Sequence, residues 1–284
     1  MSGRLESKVA LVVGAGRGIG RAVALAFARE SARLVLAART LEQLEAVRAE
    51  CAALGAEAVV AVGDVSKPAD AERIAKAAGR LDVLVNAAGI YGPIGPTWEV
   101  DPVEWARAVE VNLSGSFLLC REAATRMLER GSGKIVLLGG GGATAPLPRF
   151  SAYAASKAAV VRMAETLAEE LRPHVQVNVI APGLVDTTMQ DDVLAAGDKA
   201  GPLFEKIREA RETGAGAVPP DLAAELAVFL ASPASGSLTG KLVSAPHDPW
   251  REWGERADEL NATALYTIRR LDAFTVRPLA EALR

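Results

Sequence analysis

The chain is poor in the residues that build metal centres and covalent cross-links, with 2 cysteines and 2 histidines in 284 residues. Cys51 and Cys120 stand far apart with no Cys-x-x-Cys spacing, and neither His174 nor His247 has ligand-type neighbours. A disulfide scaffold and a Cys/His metal site are therefore not expected. An excess of positive charge is also lacking. The formal net charge is -3, whereas a nucleic-acid partner would select a basic face. Glu and Arg interrupt every long apolar stretch, so no run reaches the roughly eighteen residues of a membrane span, and no membrane partner is expected. The opening residues Met1-Ser2-Gly3-Arg4-Leu5-Glu6 hold no apolar signal core, which points to a cytoplasmic location. Disorder is excluded in turn, because 50% of the residues are hydrophobic and 24% charged.

What is present is an alternation. Short runs rich in Val, Ile and Leu at 9–13, 34–38, 58–62, 83–85, 135–138 and 175–180 read as strands buried on both faces. Segments 21–30, 41–54, 69–78, 102–130 and 153–171 between them carry helical spacing; Leu41, Leu44, Val47, Cys51 and Leu54 make one such stripe. Alternation at this length predicts right-handed β-α-β units and an α/β architecture, a doubly wound parallel sheet with helices on both faces. One domain over residues 1–248 accounts for it. Two segments break the rhythm. Residues 184–218 are Gly-rich around a helical 202–212 and read as a lid. In the C-terminal extension, 249–284, Trp253, Ala257, Leu260, Ala264, Ile268 and Leu271 form a helical stripe. That stripe predicts a packing element on the domain or on a neighbouring subunit; alternatively Trp250 or Trp253 borders a substrate pocket.

Directly after the first strand comes Gly14-Ala15-Gly16-Arg17-Gly18-Ile19-Gly20, followed by a helix. Glycines there let the backbone turn and approach a pyrophosphate, while the helix N-terminus offers N–H donors and positive potential. An NAD site usually places a carboxylate about 20 residues further on, where it accepts bonds from the ribose 2′-hydroxyl. Here that place holds Ala38 and then Arg39, and Arg17 is a second cation in the loop. Guanidinium groups welcome a 2′-phosphate that a carboxylate would repel, so NADP(H) is predicted over NAD(H). If Arg39 is only a solvated residue at the helix start, NAD(H) is possible.

The spacing Gly14-x-x-x-Gly18-x-Gly20 resembles the short form of the short-chain dehydrogenase/reductase family, with its Rossmann fold. Further matches follow in family order, from residue 8 to about 245. Asp64-Val65 matches the adenine-contacting position. Asn86-Ala87-Ala88-Gly89 matches the motif after the fourth strand, with Ala87 where a second asparagine is common. Asn112 matches the helix asparagine, Tyr153-Ala154-Ala155-Ser156-Lys157 the Tyr-x-x-x-Lys signature. Pro182-Gly183, with Val185 and Thr187, matches the segment that contacts the nicotinamide carboxamide. The resemblance implies hydride exchange between a nicotinamide cofactor and a small-molecule ketone or secondary alcohol. Tyr153 would exchange the proton, Lys157 would hold the nicotinamide ribose and Asn112 would anchor a relay water. It also implies a homodimer or homotetramer paired through the helices at 102–130 and 153–171. Tyr153 and Lys157 are four apart and share a helix face, where an ammonium would lower the phenol pKa. Extended relatives acting on sugar nucleotides need a substrate domain, which the residues after Trp250 are too few to build.

One position departs from the family. Its serine stands thirteen residues before the tyrosine; here that place is Gly140, within Gly139-Gly140-Gly141-Gly142. Losing a donor aimed at a developing oxyanion costs about 10²–10³ in kcat. A shifted hydroxyl, Thr144 ahead of Ser151, would replace it. Otherwise backbone N–H groups or a water in the vacated space supply the donor, or the protein binds NADP(H) as a regulator or scaffold with little turnover. The loops 91–98, 146–150 and 184–218 would shape the pocket, with Trp98, Leu147, Phe150 and Met189 as an apolar wall.

Overall fold

The computed structural model describes residues 3–270. Seven parallel strands run in the order β3-β2-β1-β4-β5-β6-β7. They are β1 (Val9–Val13), β2 (Arg33–Ala38), β3 (Ala58–Val62), β4 (Val83–Asn86), β5 (Gly133–Leu138), β6 (Val175–Ala181) and β7 (Leu242–Ser244). β1 and β4 are buried throughout, as strands covered on both faces must be. The order reverses between β1 and β4, whose carboxyl ends open the crevice where such folds bind ligands.

Two apolar layers sandwich the sheet. On one face α1 (Gly18–Arg29), α2 (Leu41–Ala53) and α9 (Pro220–Ala231) bury residues such as Phe27, Leu44 and Phe229. The other face is covered by α3 (Pro68–Ala77), α5 (Gly115–Arg130) and α6 (Ser151–Glu170), through Ile74, Leu119 and Val160 among others. The expected helix over 102–130 is interrupted. Asp101 caps α4 (Pro102–Val109) by accepting from the Val103 N–H at 2.8 Å. A π-helical turn, Glu110–Ser114, then inserts before α5. Such bulges frequently mark functional sites, and this one carries Asn112.

Residues 184–218, the segment expected to be a lid, hold two helices, α7 (Met189–Ala196) and α8 (Pro202–Thr213), of which only the second was readable from the sequence. β7, three residues long, was not expected either. The C-terminal extension starts with helical turns at Trp250–Glu252 and in α10 (Ala257–Asn261), and Trp253, Ala257 and Leu260 are buried. The helix stops there instead of continuing through Ala264 and Ile268. Its backbone groups are drawn to the sheet edge: Lys241 Nζ donates to the Thr263 and Leu265 carbonyls at 2.9 and 3.1 Å, and Leu242 N–H to Tyr266 at 2.8 Å. Leu271, the last member of the stripe, lies outside the described residues. Trp250 stacks near Phe229 and Trp253 near Tyr266, both inside the main core, so neither borders the pocket described below.

Candidate active site

The crevice at the β1–β4 switch point is a cleft of about 440 Å³. Its floor is the loop after β1. Gly14 and Gly18 adopt left-handed backbone with φ of 76° and 55°, which only glycine takes up freely. Gly20 lets α1 pack onto the loop, since a Cβ there would lie 2.1 Å from the Gly14 carbonyl oxygen. No side chain caps the first turn of α1, and no acid sits in it, so its N–H groups point into the cleft unclaimed by side chains. Residues present therefore fit a dinucleotide pyrophosphate.

At one end of the cleft stand Ala38, Arg39, Arg17 and Gln43. Both arginines are exposed, and among the described residues neither is in an ion pair. Asp64 and Val65 form the neighbouring wall. The Asp64 carboxylate accepts from the Ser66 N–H and hydroxyl at 3.0 and 2.7 Å and pairs with Arg107. Burial alone would raise its pKa; the Ser66 and Arg107 hydrogen bonds outweigh that and hold it below the usual carboxylate range.

The other end is built from the turn after β4. Asn86, buried, folds this turn by accepting from Ala88 N–H at 3.1 Å while donating to the Ser116 hydroxyl at 2.9 Å. Ala87, Ala88, Gly89 and Ile90 line the cleft, with Ile19, Val111 and Thr187 facing them; Asn86 stands behind. Asn112 clamps Ile90, accepting from its N–H and donating to its carbonyl, both at 2.9 Å, and also donates to the Ser156 hydroxyl. Lys157 donates to the Leu138 carbonyl at 2.9 Å, and its Nζ is 5.7 Å from the Tyr153 ring centre. The amide of Asn112 and the ammonium of Lys157 both approach Gly89, where a Cβ would be 3.2 and 3.3 Å from them. Pro182, Gly183 and Val185 are not among the residues that line the cleft: Val185 bridges to Val218, and a Cβ on Gly183 would press on Val218.

Tyr153 meets Gly140 directly. A Cβ at position 140 would lie 2.2 Å from the phenol oxygen, so the tyrosine fills the space that a serine side chain needs. No hydrogen bond within the described residues engages the Tyr153 hydroxyl. Thr144 is exposed with no bond to this group, and the Ser151 hydroxyl accepts from Trp105 at 3.1 Å. Burial pushes the Tyr153 phenol up, with the neighbouring Tyr91 adding to it, and pushes the Lys157 ammonium down to about 8. Within the protein's own groups, burial thus outweighs the acidifying ammonium expected from the four-residue spacing.

Above the phenol lies an apolar cluster of Tyr91, Phe150, Val193, Ala200 and Ile207, joined by Leu147, Met189 and Phe204. The lid helices α7 and α8 supply half of it. Trp98 is 84% exposed and takes no part. Arg211 on α8 ties the lid together through Asp186 and Asp191. Sequence reasoning missed Gln43 and Ile90 as cleft-lining residues and named Tyr91 only as part of the pocket-shaping loop 91–98. Tyr91 had a further signal, since it follows Gly89 by two residues; Gln190 fell within the expected lid 184–218 but was not singled out, because α7 itself was not readable.

The model of the short chain dehydrogenase family matches residues 8–197. D-threitol dehydrogenase of Mycolicibacterium smegmatis is 38% identical over 247 residues, covering 84% of this chain and 90% of that protein. A crystal structure of actinorhodin polyketide ketoreductase with NADPH superposes with a TM-score of 0.78 at 32% identity, over 86% of this chain and 97% of the other. NAD⁺-bound xylitol dehydrogenase gives 0.78 at 27% identity, over 84% and 98%. Together with the glycine cradle, the switch-point cleft and the Tyr153–Lys157 pair, these matches establish that the chain belongs to the short-chain dehydrogenase/reductase family of nicotinamide-dependent oxidoreductases.

Proposed function

We propose that this chain interconverts a ketone and a secondary alcohol with NADP(H), Tyr153 acting as the acid/base. The observation that carries the reading is the Tyr153 hydroxyl, unbonded within the described residues and set between the turn after β4 and the apolar lid cluster. A bound nicotinamide would supply or accept the hydride. The backbone amides at Gly14–Gly20 would hold its pyrophosphate, and Ala87, Gly89 and Thr187 would border its ring. Tyr153 donates a proton to the substrate oxygen during reduction and recovers it during oxidation. A positioned acid of this kind contributes about 10²–10⁴ in rate. Lys157, pushed down to about 8 by burial, is cationic near neutral pH and would hold the ribose while favouring the phenolate once the proton leaves. Asn112 fixes the Ile90 backbone and thereby the shape of that end of the cleft.

The NADP preference rests on Arg17 and Arg39 beside Ala38, where no carboxylate of the second strand's end opposes a 2′-phosphate. Phe150, Val193 and Ile207 over the phenol favour a substrate with apolar bulk. The test is kcat/KM for NADPH and NADH with cyclic and aryl ketones beside linear polyols. Turnover of the apolar ketones with NADPH ahead of NADH is expected. A preference for NADH defeats the cofactor assignment, and no turnover of any ketone or alcohol favours a cofactor-binding regulator.

A further inference from the structure

The missing serine leaves the substrate oxygen one hydrogen-bond donor short, and the structure narrows where a substitute can stand. The space at Gly140 is taken by the Tyr153 phenol, so neither a bound water nor a small side chain fits between them. The Ser156 hydroxyl spends its proton on the Tyr153 carbonyl at 2.8 Å and accepts from Asn112, the Ser151 hydroxyl sits against Trp105, from which it accepts, and Thr144 is exposed. Among the described residues, a hydroxyl-bearing ring packs directly on that of Tyr153. The ring of Tyr91 meets that of Tyr153 edge to face, with centroids 4.8 Å apart, and is buried in the same cluster.

We propose that the Tyr91 hydroxyl donates the hydrogen bond to the substrate oxygen that a serine gives elsewhere. This rests on the ketone–alcohol reading of the site. Tyr91 is well placed to be fixed: the residue before it is held at both backbone groups by Asn112, and Phe150 packs on its other side at 5.2 Å. Its hydroxyl donates to Gln190 Oε1 at 3.1 Å, and Gln190 in turn donates to the Val185 carbonyl at 3.3 Å. Gln190 belongs to α7 in the lid, so this bond is one the donor can exchange for a substrate oxygen when the lid moves to admit it. Burial pushes the Tyr91 phenol up to about 12, so it stays protonated at any working pH, as a donor must. In reduction the carbonyl carbon gains a hydride from NADPH and its oxygen gains the Tyr153 proton. Tyr91 keeps its own O–H bond throughout.

The test compares Tyr91→Phe and Gln190→Met with the wild type, using β-tetralone or acetophenone and NADPH or its hydride-deuterated form. Tyr91→Phe is expected to lower kcat by about 10²–10³, to leave NADPH affinity unchanged, and to raise the deuterium isotope effect as hydride transfer becomes limiting. Gln190→Met, which removes the lid contact but keeps the hydroxyl, should alter KM and hold kcat within a few-fold. Wild-type kcat in Tyr91→Phe, or an equal loss of kcat in Gln190→Met, overturns the donor assignment while the oxidoreductase reading stands. A wild type inert toward both ketones overturns the donor together with the reading beneath it.

Discussion

The phenol of Tyr153 and the hydrogen of Gly140 share a boundary that leaves no room for a side chain. Gly140 carries no positive φ, so its backbone suits any residue; only space demands glycine. A serine there must push the phenol aside, and a misplacement of about 1 Å can cost around 10²-fold in rate. Gly140→Ser is therefore expected to reduce kcat by ten-fold or more, although counting along the chain would suggest that it restores a lost donor. An increase in kcat would show that the phenol moves without harm and that the donor was missing. The vacancy itself was legible, because position 140 follows from Tyr153 by simple offset. What fills it was not, since spacing gives the order of residues along a chain and says nothing of which side chain leans across. The same holds for Thr144, close in sequence yet turned to solvent.

Among the elements, the loop from β1 to α1 was the most readable, because glycine at fixed spacing after a strand has few alternative explanations. Its most constrained member is Gly20, whose Cβ would meet the Gly14 carbonyl oxygen at 2.1 Å. Gly20→Ala must separate α1 from the loop and spoil the row of amides. Its NADPH dissociation constant, read by fluorescence titration on protein with native circular dichroism, should rise by at least about ten-fold. Unchanged affinity would mean that the loop does not hold the phosphates. The π-helical turn at Asn112 was hidden, because apolar spacing continues across 102–130 while the hydrogen-bond pattern changes. β7 is too short to show a period, and α10 ends where Lys241 and Leu242 capture the chain beyond it, a long-range effect that no local stripe reveals.

For the molecule as a whole, the alternation of strands and helices made the sheet legible, while the position of the lid over Tyr153 depended on tertiary packing. Burial pushes Lys134, Lys157 and Lys241 down to about 8 from 10.5. Above pH 8 the unfolded chain still binds protons that these folded lysines have released, so stability rises with pH. Cys51 and Cys120, pushed up to about 11 and about 12 from 9.0, act in the opposite sense above pH 9. The melting temperature should thus climb from pH 8 to 9 at constant ionic strength; a fall across that window contradicts these burial effects. Val103, Phe117 and Leu128 expose apolar surface on α4 and α5, at 71%, 50% and 46%. That supports pairing between copies through these helices, as a homodimer or homotetramer, and light scattering at micromolar concentration should find an oligomer rather than a monomer.

The most direct test of the account is Tyr153→Phe, with hydride transfer from NADPH followed in a single turnover. The variant should bind NADPH as the wild type does and transfer hydride about 10²–10⁴ times more slowly. Wild-type transfer without the phenolic oxygen would contradict it.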